Sequence, residues 1–328
     1  MTLSNRDNML ATIYYEKADY VPLTFESVCM TGTAVSSITD CPLVDGQKDM
    51  FGIPWHVSPE GSVAQHDFIL FEDIEDWEKN TRVPDLDSID IKEIARAEME
   101  RRPLDRENRL VQIMRPTGLF QRMIAMMGFE NALIALQVDP EECKKFLEVI
   151  TDYMVDYNDR VIDAYGPDIY IYSDDVSTAT GTFMSLDAYK DIFEPFHRRI
   201  GENIRKHEGV IAEYHECGKS LSVISLIADM GFQMWHCANP CNDLAALMQG
   251  ELKGRMAVEG GWDPLAPASY LGATVEDLVD ETRRCMTEYK MPGYTFLPVF
   301  LNEKGNSFIV GDERMPSIIE TWDEMRWF

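Results

Sequence analysis

Apolar and polar positions along this chain repeat with two different periods. Short apolar or β-branched runs, most of them following a Gly or Asp turn, predict strands at 20–25, Leu110–Arg115, 168–173, 210–214, 233–237, 255–258 and 294–300. Between them the spacing turns helical. Asp139-Pro140-Glu141-Glu142 reads as a helix start, with Asp139 as N-cap and Pro140 at the first helical position. The helix it opens runs over 143–164 and presents Phe146, Leu147, Ile150, Met154, Tyr157 and Ile162 on one face. Ser185-Leu186-Asp187-Ala188 and Thr274-Val275-Glu276-Asp277 open further helices in the same way. Strand-then-helix units with short links predict an α/β fold, a parallel sheet with helices outside it. Seven such strands, with an eighth expected inside the irregular 40–70 region, would close a (β/α)8 TIM barrel as one domain spanning 1–328. The stretch 40–71, rich in Gly and Pro, is expected to cover one mouth of that barrel.

Composition narrows the function classes. Hydrophobic residues at 45% and charged residues at 27% of 328 positions are ordinary for a globular protein, so a large core is expected and disorder is not. The 57 acidic against 30 basic side chains give a formal charge of −27, which repels nucleic acid phosphates and anionic membrane surfaces. Cysteines 29, 41, 143, 217, 237, 241 and 285 are scattered and odd in number, and the polar opening 1–8 does not read as a secretory leader, so none is expected. A reduced, cytoplasmic setting is expected. The apolar stretch at 123–138 is interrupted by Gly128, Glu130, Asn131 and Gln137, so no membrane span is expected there.

Chemistry concentrates at predicted strand ends. In Val210-Ile211-Ala212-Glu213-Tyr214-His215-Glu216-Cys217-Gly218 the imidazole of His215 and the sulfur of Cys217 stand two residues apart, hence on one face, where a strand meets a glycine. That pair suits zinc, which needs about three protein ligands in a catalytic site. Other strand ends offer partners: Asp174 and Asp175, Glu26 and Cys29, His236 and Cys237, and Glu259 ahead of Gly260-Gly261-Trp262-Asp263-Pro264. Each has an ordinary alternative. An acid at a strand end often caps the next helix, and a Cys in an apolar run is usually a small core residue, the expected role of Cys29, Cys237 and Cys241. His56 and His66 have no partner at ligand spacing.

These residues carry a family resemblance. Asn5-Arg6-Asp7-Asn8-Met9-Leu10-Ala11 followed by Asp19-Tyr20-Val21-Pro22 resembles the opening of the uroporphyrinogen decarboxylase superfamily. Met127-Gly128-Phe129-Glu130-Asn131 with Asp139-Pro140, Tyr172-Ser173-Asp174-Asp175, the stretch from Ser185 to Pro195, His215-x-Cys217-Gly218 and Gly261-Trp262-Asp263-Pro264 follow in that family's order, over nearly the whole chain. The resemblance implies a barrel of the uroporphyrinogen decarboxylase type and either of two chemistries, tetrapyrrole decarboxylation or cobamide-dependent methyl transfer. The decarboxylases supply N-terminal arginines to a polyanionic substrate. Here Leu23-Thr24-Phe25-Glu26-Ser27-Val28 has an acid and no arginine, which disfavours that role.

The methyltransferase branch of the resemblance implies zinc held by the His-x-Cys pair and a later Cys on the last strand. This chain departs from that pattern, because Tyr294-Thr295-Phe296-Leu297-Pro298-Val299-Phe300 contains no Cys, and Glu259 or Cys237 is expected to complete the site. Fewer thiolates make a better Lewis acid, suited to polarising a leaving oxygen. The resemblance then implies an enzyme that moves a methyl group from an O-methyl donor, such as a methoxylated aromatic, to the Co(I) of a corrinoid carried by a partner protein. In this reading Asp175 is the general acid, with its pKa raised among apolar walls, and Asp174 stands beside it. Glu26, Tyr172, Trp235 and Trp262 contact the substrate, with Phe25 and Tyr214 as further aromatic walls. A homodimer is compatible with this reading. The alternatives are a decarboxylase of tetrapyrrole metabolism, a methylcobamide:thiol methyltransferase, and a non-catalytic binding barrel.

Overall fold

The computed structural model describes residues 2–58, 61–302 and 311–328. Nine strands are present among them: β1 Val28–Thr31, β2 Trp55–Ser58, β3 Gly61–Ala64, β4 Leu110–Arg115, β5 Ile169–Ser173, β6 Ile211–His215, β7 Met234–Ala238, β8 Ala257–Gly261 and β9 Tyr294–Leu297. Seven form one curled parallel sheet in the order β1-β4-β5-β6-β7-β8-β9, with helices packed around its outside. This is the α/β barrel architecture expected, and its strand ends after β4 to β9 define one functional face.

The helix Asn5–Ile13 closes the opposite face. Ser4 caps it by accepting the Asp7 N–H, and Arg6 grips Asp168, at the entry to β5, through two contacts of 2.5 and 2.8 Å. Met9 and Ile13 then pack against Val28, Leu110, Ile169, Ile211, Met234 and Ala257, the residues that begin the strands or lie next to their starts. The N-terminal end of the barrel is therefore an apolar plug.

Two expectations about the sheet need correction. The stretch 20–25 is not a full strand: Leu23 makes a single parallel bridge to Phe296 and Pro22 O accepts the Phe296 N–H, after which Thr24–Ser27 forms one helical turn. Pro22 has no N–H to give a ladder, so pairing stops there and the first sheet strand is β1. Nor does 40–70 hold a barrel strand. Its β2 and β3 pair antiparallel with each other, in a hairpin separate from the barrel, and residues 59 and 60 of that excursion lie outside the described residues.

The excursion also sits elsewhere than expected. Phe51 packs on Tyr153 and Phe71 on Phe146, and the Leu70 N–H donates to Met126 O, so it lies mainly against the barrel's flank and meets the mouth beside β4, where Thr117 Oγ1 donates to Asp40 O at 3.4 Å. The long helix beneath it, Pro140–Tyr165, is capped by Asp139 and buries the apolar face its spacing predicts. Ser185 and Thr274 cap the helices Leu186–Ile192 and Val275–Glu288. Among the described residues no single helix is long and apolar enough to cross a membrane.

Candidate active site

Strand alternation sorts the barrel's side chains into two sets. Tyr172, Tyr214 and Trp235 are in register on neighbouring strands and pack outward into the layer between sheet and helices. The row one residue further along, Ser173, His215 and His236, is likewise in register and belongs to the other face. Below it inside the barrel lie Gln112, which donates to Glu213 at 2.9 Å, and the fully buried Glu259 and Thr295.

At the top of this interior the His215 Nε2 stands 3.4 Å from Cys217 Sγ, and the ligand atoms of His215, Cys217 and Cys237 all lie within 4.8 Å of one another. Ligands held at about 2.0–2.3 Å from one zinc ion are separated by distances of this order. Two cysteines and an imidazole are also the donor types zinc prefers, so the residues fit the metal. Cys217, expected on His215's face, is there. Cys237, whose ordinary reading is a core residue but which was also expected, as an alternative to Glu259, to complete the site, is the third member of the set.

Cys237 reaches the interior through a defect in β7. In a regular strand the residue after His236 points outward, but the register with β8 slips between Trp235 and Ala238, and Cys237 adopts φ 63°. Such a left-handed non-glycine costs on the order of 1–3 kcal/mol and persists where its surroundings enforce it. Gly260 on β8 makes room: a Cβ there would lie 2.6 Å from the Ala238 backbone N and O. A second glycine fixes Cys217. Gly218, at φ 78°, approaches Thr178 O so closely that a Cβ would sit 2.5 Å from it, and its N–H donates to Asn239 Oδ1 at 2.7 Å. The two cysteine-bearing loops are thus tied together.

Without a cation, the Cys217 thiol is held well above its ordinary pKa, first by its contact with Cys237, then by burial and by Asp175 and Glu216. A bound metal ion reverses that sign by deprotonating its thiol ligands. Burial, and then His215, push His236 well below the usual imidazole range. Glu213 is driven well up by burial and by Glu259, while burial pushes Glu259 up to about 8.

The other expected site residues fall into three groups. Trp262 lines a cavity of about 330 Å³ with Cys217, Cys237, Leu297, Val299 and Phe300, and its indole N–H is held by Ser269 Oγ at 2.9 Å. Asp175 lies at the site's edge, 3.7 Å from His215 Nε2. It accepts the Cys217 N–H at 2.7 Å and the Gln121 amide at 3.2 Å, so polar donors surround it rather than the apolar walls expected.

The rest lie away from the cavity. Asp174 is fully buried and accepts the Phe120 and Gln121 N–H groups, both at 3.0 Å, at the start of the helix Leu119–Met127, with His197 Nε2 at 2.8 Å. Tyr172 accepts the Leu119 N–H and Trp235 donates to Glu216 O, both among outward-facing residues. Tyr214 joins them there, with its hydroxyl on Asp174 O. Glu26 sits at the opposite, N-terminal end, 3.9 Å from Arg109 and beside Asn5, because the strand it was expected to follow is replaced by one that begins after it. Phe25 shares that pocket. The expected role of Glu259 as a direct ligand also changes: it is 3.5 Å from His236 and does not join the three-residue set. Glu213 was missed altogether, although it stands two residues before His215 and so shares its face.

The three-residue donor set thus stands at the C-terminal end of a curled parallel sheet, the end at which barrels of this architecture carry their chemistry. The sequence profile of the family "Uroporphyrinogen decarboxylase (URO-D)" matches residues 49–298, and the chain belongs to that family. It is similar to a "Methylated-thiol--coenzyme M methyltransferase" of Methanosarcina mazei, 27% identical over 129 residues, which span 37% of this chain and 33% of the relative. The chain is therefore matched over about a third of that relative's length. In overall structure it resembles a "methyltransferase from Methanosarcina mazei" with a TM-score of 0.67 at 14% identity, over 98% of this chain and 99% of the other. That likeness bears on the fold. Both relatives are methyltransferases, the branch of the superfamily that the sequence resembles.

Proposed function

We propose that this protein is a corrinoid-dependent methyltransferase that takes a methyl group from a small, neutral O-methyl donor, such as a methoxylated aromatic, for transfer to the cobalt(I) of a corrinoid carried by a partner protein. The observation that carries the reading is the convergence of His215, Cys217 and Cys237 at one wall of an apolar cavity. These three residues would hold zinc, which when bound supplies a Lewis acid for the donor's oxygen. Trp262, Leu297, Val299 and Phe300 exclude water and hold an apolar ring. Among the described residues no Lys or Arg lines the cavity, which favours a neutral donor over an anionic one. In the transfer the methyl C–O bond breaks, its electron pair stays on oxygen and the methyl group passes to the acceptor; Asp175, at the site's edge 3.7 Å from His215 Nε2, is our candidate to deliver the proton that the oxygen takes up.

A thiol-directed reading has its own support, because the third member of the set is a second cysteine and two thiolates suit a sulfur substrate. One experiment separates the two. Protein purified without chelators is assayed for zinc and for methyl transfer, with reduced corrinoid protein, from methoxylated aromatics, methanol and methylated thiols. The expected result is near-stoichiometric zinc, activity on methoxylated aromatics, and loss of both in Cys237→Ser. Activity confined to methylated thiols would replace the donor class, and full activity in a zinc-free preparation would sink the proposal.

A further inference from the structure

We infer that His236 and Glu259 are positioning residues that fix the tautomer and orientation of His215 from behind. This rests on the reading of His215 as a metal ligand. His215 turns Nε2 towards Cys217 and Nδ1 towards His236, whose own Nδ1 is 2.5 Å away. Two ring nitrogens at that distance share one proton, so one donates and the other accepts. If Nε2 of His215 binds a metal, its proton is on Nδ1, and Nδ1 is the donor. His236 Nδ1 must then be bare, and the His236 proton lies on Nε2. That nitrogen faces Glu259 Oε1 at 3.5 Å.

Glu259 has reason to await such a donor. It is fully buried and among the described residues neither carboxyl oxygen has a hydrogen-bond partner, while the nearby Thr24 hydroxyl donates to Phe296 O instead. A buried carboxyl with two orphan oxygens is destabilising where it stands. Metal-binding histidines commonly pass their second N–H to a carboxylate, and here a second imidazole is interposed. Neither residue follows from the His-x-Cys spacing, because His236 comes from β7 and Glu259 from β8.

The test measures zinc affinity by competition with a chromophoric chelator, and the visible absorption of the cobalt(II)-substituted protein, in Glu259→Leu, His236→Phe and Thr295→Val. Thr295 is a control at the same depth with its hydroxyl also unpartnered. Glu259→Leu and His236→Phe are expected to weaken zinc binding about 10- to 100-fold and to alter the cobalt spectrum, and Thr295→Val to stay within twofold of wild type. Glu259→Leu should at the same time melt at an equal or higher temperature, since it removes an unpaired buried acid. A merely structural Glu259 predicts the reverse, a lower melting temperature with metal affinity unchanged. Folded Glu259→Leu and His236→Phe proteins that bind zinc as tightly as wild type would overturn the inference while leaving the metal site intact. A wild type that binds no zinc would instead defeat the metal reading on which the inference rests.

Discussion

Two buried polar clusters in this barrel differ in one respect. In the first, on the flank, Arg115 and Arg122 meet Asp40 at 2.9 and 3.0 Å, and Arg122 meets Asp49 at 2.5 Å, with all four side chains fully enclosed. Two cations face two anions, and the guanidinium faces lie over Tyr157 and Phe51 at 4.5 and 4.3 Å. In the second, in the barrel interior, Glu213 and Glu259 are buried with no Lys or Arg partner among the described residues, and three of their four oxygens are orphaned. Matched burial pins the excursion at 40–71 to the barrel. Unmatched burial opposes folding, so ion pairing does not account for the acids beneath the three metal-binding candidates.

The sharpest way to break that contrast is to unbalance the matched cluster. Asp40→Asn leaves two buried guanidinium groups sharing Asp49 and should cost about 3–5 kcal/mol in urea unfolding. Activity per folded molecule should be unchanged, because the cluster lies away from the cavity. A loss below about 1 kcal/mol would mean that the cluster does not anchor the excursion.

The unmatched cluster makes the opposite kind of prediction, in pH. Glu259 has its carboxyl pushed up to about 8 from 4.5, so between those values the native state keeps a proton that the unfolded chain has lost. Stability therefore falls as pH rises through that window. His236, held neutral in the native state, contributes an opposite slope below about 6.5, where the unfolded imidazole charges. The clean interval is pH 6.5 to 8. There wild type should lose about 2 kcal/mol relative to Glu259→Gln, which cannot titrate. Parallel stability curves for the two proteins would show that Glu259 is already ionised in the native state.

How much of this was readable from the chain depends on which residue is asked about. His215 and Cys217 need only the two-residue period, and the strands β4 to β9 need only apolar runs, so both were legible. The same period separates Tyr172, Tyr214 and Trp235 from the interior, but only once the register between strands is known, and an aromatic at a strand end gives no sign of which face it occupies. Cys237 was legible only as one of two candidates, with Glu259, to complete the donor set, and what turns it inward was not. Its inward turn depends on a bulge that breaks the period and on Gly260 across the sheet, a contact between strands rather than along one. The first strand was misplaced because Pro22 interrupts an otherwise strand-like run, and the helical turn that follows moves Glu26 from one end of the barrel to the other.

That displacement supplies the smallest expected effect. Glu26 faces Arg109 at 3.9 Å with both side chains about a third exposed, and Arg109 is the residue before β4, at the plugged end of the barrel. An exposed pair of this kind contributes about 0–1 kcal/mol. Glu26→Gln should therefore change stability by less than about 1 kcal/mol and leave metal content and methyl transfer at wild-type levels. The comparison is informative because Glu259→Gln makes the same chemical change on an acid at the other end, under the donor set. If Glu26→Gln lowered turnover while metal content held, the apolar plug would be an incomplete barrier and the pocket formed by Phe25, Glu26, Cys29 and Arg109 would be part of the working site. If turnover is unmoved, the strands' C-terminal end alone carries the chemistry, as the fold dictates.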